Sequence, residues 1–255
     1  MKRIIAITIP LVFLAAGVLS AQSAQTPAEI LAQSDQRRTI DNMSFEVTLS
    51  SYEGSQVTDA VKLWGALKIG QDHNRVLMYF VEPASDRGRK LLVDGDAVYL
   101  LFVRTTNPIR LSPLEVLTGQ ASDGDVVRTF ARDYDIDSMT DATQDGKPAY
   151  HFSLVAKESV GDTSYKRVQL WVEKSTLRLL YAEFYAASGV LLKKAYYRDY
   201  QQALGKDVPF TVEVFAGDDA RKRTVMVFDK VGKKVLPGTE FARSYLPSWN
   251  PEPPR

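Results

Sequence analysis

Residues 43–50 read MSFEVTLS, and the two sides of that stretch separate cleanly: Met43, Phe45, Val47 and Leu49 are apolar, Ser44, Glu46, Thr48 and Ser50 polar. A period of two puts the four apolar side chains on one face of a strand and leaves the other wet. The same alternation returns in Val61, Leu63, Leu67 and Ile69, and again in Val208, Phe210, Val212 and Val214. Strand-like stretches lie near residues 74–82, 88–93, 96–104, 147–157, 165–174, 177–187, 190–200 and 221–229, so about eleven strands are expected. Turn chemistry falls at Glu53-Gly54, Asp94-Gly95, Asp145-Gly146, Gly161-Asp162 and Ser188-Gly189. Such short connections join antiparallel neighbours.

Three short helices are expected within this mainly β chain. Thr26, Pro27 and Glu29 form an N-cap, a first-turn proline and a capping-box acid ahead of Ile30 and Leu31. Ser112, Pro113 and Glu115 repeat the arrangement before Val116 and Leu117, and Ser122 and Asp125 precede Val126, Val127 and Phe130. Several strands are apolar on both faces. Val98, Leu100 and Phe102 alternate with Tyr99, Leu101 and Val103, while Leu179 and Tyr181 alternate with Leu180, Ala182 and Phe184. A sheet packed on one side shows polar residues on the other, so either helices cover the second face or the sheet curls around an apolar lumen. The proline-rich tail, Pro247 to Arg255, reads as a fraying end.

The chain opens with Met1, Lys2 and Arg3, an apolar run from Ile4 to Leu19, and the small and polar residues Ser20, Ala21, Gln22, Ser23 and Ala24. A charged start, an apolar stretch and a small-residue cleavage zone make a secretory signal peptide over residues 1–24. Pro10 interrupts the run, which falls short of the ~20 apolar residues of a transmembrane helix. Residues 25–255 are then one exported domain, since all-β domains reach this size as a single unit. The sequence has no cysteine, which rules out lipid modification at cysteine and disulfide staples alike. Lys2 and Arg3 are the only charges before residue 25. The 32 Lys and Arg, less those two, then stand against 31 Asp and Glu, a net charge of −1 that gives no electrostatic reason to expect nucleic acid or an anionic membrane surface as a partner.

No catalytic constellation stands out, and no enzyme is expected. His73 and His151 are far apart, and a zinc site without cysteine would rest on carboxylates and these two rings. His151 lies within the strand-like stretch from Tyr150 to Leu154 and reads as structural. There is no G-x-S-x-G, Walker loop or G-x-G-x-x-G. Asp133, Asp135, Asp137, Asp141 and Asp145 lack the loop spacing and closing glutamate of a calcium hand. No metal or cofactor is expected.

From Phe45 to Asp125 the chain resembles the outer-membrane lipoprotein-sorting, or LolA-like, family. The residues that carry the resemblance are Gly65, Ala66, Leu67 and Lys68, then Arg75, Val76, Leu77, Met78, Glu82 and Pro83. They continue through Arg87, Gly88, Arg89, Leu91, Leu92, the turn Asp94-Gly95-Asp96, the run Ile109 to Ser112, and Gly119, Gln120, Ala121, Ser122 and Asp125. Val208, Pro209, Phe210 and the segment from Phe241 to Leu246 match the closing strands. Two departures stand out: the aromatic pair after the Asp-Gly turn is reduced to Tyr99 and Leu101, and Asn74-Arg75-Val76 lacks the carriers' arginine-proline step. No lipoprotein-release role is therefore assigned to Arg75.

The resemblance implies a half-open antiparallel β-barrel of about eleven strands, capped by short helices, around an apolar cavity. It implies a periplasmic carrier that moves a lipid or an acylated lipoprotein between envelope membranes, with an inner-membrane exporter and an outer-membrane acceptor as its partners. A lipid-sensing regulator acting through a protein partner is the alternative, and a periplasmic hydrolase ranks third. The cavity is expected to be lined by Phe45, Leu63, Leu67, Leu77, Tyr79, Leu100, Phe102, Phe152, Phe184, Val212 and Val214. Leu114, Leu117, Val127 and Phe130 are expected on the lid helices.

Overall fold

A computed structural model describes residues 25–111, 116–122, 128–160 and 165–254. The expected signal peptide at residues 1–24, Leu114, Val127 and the expected Gly161-Asp162 turn lie outside them. Among the described residues no helix is long and apolar enough to cross a membrane.

Helix α1 (Pro27–Gln36) leads into β1 (Met43–Glu53), β2 (Gln56–Lys68), β3 (Arg75–Glu82), β4 (Lys90–Asp94), β5 (Ala97–Leu101) and β6 (Ile109–Leu111). A small hairpin of β7 (Val116–Thr118) and β8 (Ala121–Ser122), then the one-turn helix α2 (Phe130–Asp133), separate these from the second run of strands. That run comprises β9 (Tyr134–Gln144), β10 (Lys147–Ala156), β11 (Arg167–Glu173), β12 (Leu179–Tyr185), β13 (Leu191–Ala203), β14 (Lys206–Ala216) and β15 (Lys222–Lys233). Thirteen strands form one antiparallel sheet in the order β6-β5-β4-β3-β2-β1-β15-β14-β13-β12-β11-β10-β9. The expected half-open, mainly β architecture is present, with more strands than the eleven expected.

The α1 start follows its sequence signal. The Thr26 amide donates to Glu29 Oε2 at 2.8 Å and the Glu29 amide to Thr26 Oγ1 at 3.3 Å, so two orphan donors of the first turn are satisfied reciprocally. Where the second helix is expected, the described residues form a strand: Val116 and Leu117 lie in β7. The third is reduced, among the described residues, to α2, which begins at Phe130.

β1 buries alternate residues, Met43, Phe45, Val47 and Leu49, on the concave face. Val61, Leu63 and Leu67 of β2, Val76, Met78 and Phe80 of β3, and Leu91 and Val93 of β4 join the same core. The opposite, convex face of β2–β5 carries a second apolar cluster of Ala66, Leu77, Leu92 and Leu101. It is covered by the carboxyl-terminal segment, whose Leu236, Phe241, Leu246 and Trp249 pack against it. Lysines fasten that segment: Lys68 Nζ donates to Leu236 O at 3.2 Å and Lys90 Nζ to Pro247 O at 2.8 Å. Burial depresses the Lys90 pKa. The tail therefore does not fray. Leu246 is fully buried, and the tail rather than a helix covers the second apolar face of β3–β5.

On β10–β14 the convex face is closed differently. His151, Trp171, Tyr181, Tyr196 and Phe215 stack across neighbouring strands, with successive ring centroids 4.4, 5.0, 4.7 and 5.7 Å apart. His151 is thus part of a cross-strand aromatic row, and its Nε2 is buried without a hydrogen-bond partner. A register shift in β12 opposite Trp171 and Val172 lets Leu179 and Ala182 enter the core while Tyr181 joins the row.

Candidate functional site

The concave face encloses an apolar pocket to which β1, β2, β3, β12, β13, β14 and β15 all contribute. Phe45, Leu63, Leu67, Phe184, Val212 and Val214 line it, together with Val47, Leu49, Met78, Ala195, Met226, Phe228 and Val231. Space wide enough for a water molecule amounts to about 100 Å³, whereas all space between the walls, including the opening to solvent, is about 1040 Å³. Atoms that line unfilled space lack part of their dispersion contacts. A cavity of ~150 Å³ admits a benzene ring, so in this closed form the wide part holds less than that.

The remaining expected lining residues fall elsewhere. Phe152 is fully buried in the same core but does not line the pocket, and Leu100 is partly buried against that core. Leu77 and Tyr79 face the other way, under the carboxyl-terminal segment, and Tyr79 stacks on Trp64 at 5.9 Å. The reason is register: in β3 the core-facing set is Val76, Met78 and Phe80, and the period of two turns Leu77 and Tyr79 outward. Phe102 lies beyond the end of β5 and is 39% exposed, with the Arg89 guanidinium 5.4 Å from its ring centroid.

Arg38 lines the pocket and forms an ion pair with Asp35 at the carboxyl end of α1, packed against α2. Arg38 and Asp35 lie 3.2 Å apart, each with only 7% of its side chain exposed. The Arg38 guanidinium stands 4.2 Å from the Phe130 ring centroid and donates to the Arg128 carbonyl. Asp35 Oδ2 accepts from the Ala131 amide at 2.7 Å. Burial pushes the Asp35 carboxyl up, against the pull of Arg38 and the amides of Ala131 and Phe130. Burial also works against the Arg38 charge, yet Asp35 and Tyr197 outweigh it and hold its pKa above the ordinary value. A guanidinium and two amides around one carboxylate favour the ionised pair. The β7–β8 hairpin packs against β1 and β15 near Ser51 and Thr224: the Gln120 amide donates to Thr224 Oγ1 at 2.8 Å, and Ala121 is buried in the core. A side chain at Gly119, where φ is +53°, would collide with Ser51 and Thr224, so the close approach needs glycine.

Polar chemistry lies outside the pocket. His73 Nε2 and Arg75 Nε both meet Asp94 Oδ1 at 2.7 Å. Asp135, Asp137 and Asp141 are spread along exposed positions of β9, and Asp141 pairs with Lys174 at 2.6 Å. Among the described residues no group of three or more histidines, aspartates or glutamates is placed to hold a metal. The sequence reading missed Arg38, Ile40, Met78 and Met226 as lining residues. Nothing local distinguishes buried Arg38 from its neighbour Arg37, which points outward toward Asp207.

The profile of a protein family described as an uncharacterized protein matches residues 72–248, and the chain belongs to that family. A search of curated proteins finds no match. Among solved structures, a LolA-superfamily protein from Nitrosomonas europaea is 28% identical with a TM-score of 0.76, over 88% of this chain and 100% of that one. A DUF1329-family protein from Desulfovibrio piger has 22% identity and a TM-score of 0.74, covering 86% and 97%. A putative outer membrane lipoprotein-sorting protein domain from Vibrio parahaemolyticus has 17% identity and a TM-score of 0.74, with the same coverage. With the family profile spanning most of the sheet and this fold shared over 86–88% of the chain, the protein is LolA-like in fold.

Proposed function

We propose that the protein is a periplasmic carrier that shields an acyl chain of a lipid or lipoprotein inside the curled sheet, after export and removal of residues 1–24. The observation that supports this most is the make-up of the pocket wall: apolar residues from seven strands, with polar chemistry confined to the Arg38 end. An acyl chain of about 14 methylenes loses roughly 11 kcal/mol on exposure to water, at ~0.8 kcal/mol each. A carrier must hide most of that surface and still let go. An apolar interior that is left partly unfilled suits this, because a chain that fills it gains dispersion contacts. Release then costs only what entry gained. The chain enters by widening the pocket. Catalysis has no part in this role.

Native mass spectrometry of protein purified from its own envelope tests the proposal. A co-purifying lipid, displaced by a fluorescent fatty acid, is the expected result. Protein that carries none and binds no fatty acid would mean that the sheet is simply a filled core. Intact mass should show a new amino terminus between residues 21 and 25.

A further inference from the structure

We infer that the open end of the β4–β5 hairpin is a docking surface for an anionic phospholipid bilayer. Three large apolar side chains stand exposed there: Phe102 at 39%, Val103 at 44% and Ile109 at 47%. They sit on the loop from β5 to β6 and on the first residue of the edge strand β6, where Ile109 pairs with Leu100. The loop is built and held. The Thr105 amide and hydroxyl both donate to the Phe102 carbonyl, at 3.2 and 2.8 Å, and Arg104 sits in the left-handed region at φ 64°. Arg243 ties the loop to the carboxyl-terminal segment by donating to the Pro108 carbonyl at 3.0 Å. Single exposed apolar residues on a surface mean little. Three together on an ordered tip need a further reason.

The charge around them supplies it. Arg87, Arg104 and Arg110 are exposed and form no ion pair among the described residues, and Arg89 lies over Phe102 while pairing with Asp86 at 3.0 Å. At the opposite end of the same hairpin the charges are paired instead, Asp94 with Arg75 and Asp96 with Arg128. The whole chain is close to neutral. A basic rim around exposed apolar side chains complements a sheet of anionic headgroups over an acyl interior. A protein partner fits less well, since a stable protein interface takes about 20–30 residues a side. A second copy of this chain would bring like-charged arginines face to face.

The test measures partition of the purified protein onto vesicles of phosphatidylcholine alone and of phosphatidylcholine doped with phosphatidylglycerol. Every variant keeps the parent's amino terminus, so any contribution from residues before 25 cancels. Binding should favour the anionic vesicles at least tenfold and weaken in high salt. Arg104→Gln and Arg110→Gln should each lower it about fivefold, and Phe102→Ser with Ile109→Ser at least tenfold. Val57→Ser, exposed on the β1–β2 hairpin, should leave it unchanged. Equal binding to both vesicle types, or variants that partition like the parent, would overturn the docking surface. So would self-association seen by light scattering that the Phe102→Ser/Ile109→Ser protein loses. Fatty-acid binding in solution, retained by these variants, separates failure here from failure of the carrier proposal.

Discussion

Gly65 lies opposite Phe45 in the β1–β2 ladder, and a β-carbon added there would come within 2.2, 2.5 and 2.7 Å of three ring atoms of Phe45. The ring lies over the bare backbone as a wall of the pocket and meets Phe228 edge-on at 5.7 Å. Gly65→Ala must therefore push the ring off the sheet and into the interior, an overpacking change of ~1–3 kcal/mol. Phe45→Ala alone should cost ~3–5 kcal/mol. Once the ring is gone, the alanine at 65 meets nothing and relieves the entropic handicap of a strand glycine, worth ~0.5–1 kcal/mol. The double variant should thus be more stable than the sum of its parts by about 2 kcal/mol. Denaturant unfolding of the four proteins measures this cycle. In parallel, Gly65→Ala should weaken fluorescent fatty-acid binding while leaving vesicle partition intact. Stability changes that add within ~0.5 kcal/mol would refute the reasoning, because they would mean that ring and glycine do not share the space.

Leu246→Ala, at a fully buried site on the convex face, should cost ~2–5 kcal/mol and raise binding of a hydrophobic dye as the tail loosens; a silent change would mean that the tail is not part of the core. Arg38→Met leaves the Asp35 carboxylate buried without its cation and should cost ~3–5 kcal/mol, most of it recovered in Asp35→Asn/Arg38→Met; denaturant midpoints of the three proteins decide it. Burial, aided by Glu183, raises the Tyr185 pKa from 10.0 to about 12. Its protonated form is thus favoured by folding, and the associated stability is present below pH 10 and lost as pH climbs toward 12. Spectrophotometric titration should show a late phenol step that Glu183→Gln moves down only part of the way, because burial is the larger cause.

The alternation in β1 and β2 was enough to place Phe45, Leu63 and Leu67 on one face, since a half-buried strand leaves a pattern that only one register satisfies. Strands buried on both faces carry no such signal. For that reason the outward turn of Leu77 and Tyr79 was hidden, as was the identity of what covers them. The answer lay about 150 residues downstream, in a tail whose prolines suggest an end without structure. β9 escaped notice because aspartates are rare in strands, yet Asp135, Asp137 and Asp141 hold alternate or solvent-facing positions along an edge, where charge discourages pairing with other chains. The turn between β13 and β14 uses Leu204-Gly205, both at positive φ, and a leucine there gives no warning. At Leu117 the Ser-Pro-x-Glu signal is local, and tertiary pairing in β7 decided otherwise.

The sheet order has a kinetic consequence. β1 pairs with β2 on one side and β15 on the other, so the middle of the sheet is a seam between the first strand and the last. Bonded groups across it, from Gly54 and Arg221 to Asn42 and Lys234, are 167 to 192 residues apart in sequence. Each run of strands on either side is built from neighbouring hairpins and can zip locally, but the seam waits for the whole chain and for the largest loop-closure entropy in the molecule. Until it forms, both β1 and β15 present open edges, each a template for a wrong partner. Folding should therefore be slow and aggregation-prone, with its rate set by the joining of two half-sheets. A circular permutant that links residue 254 to residue 25 and opens at the Asp145-Gly146 turn would turn the longest-range pairing in the molecule into a local one, and should fold faster at the same stability.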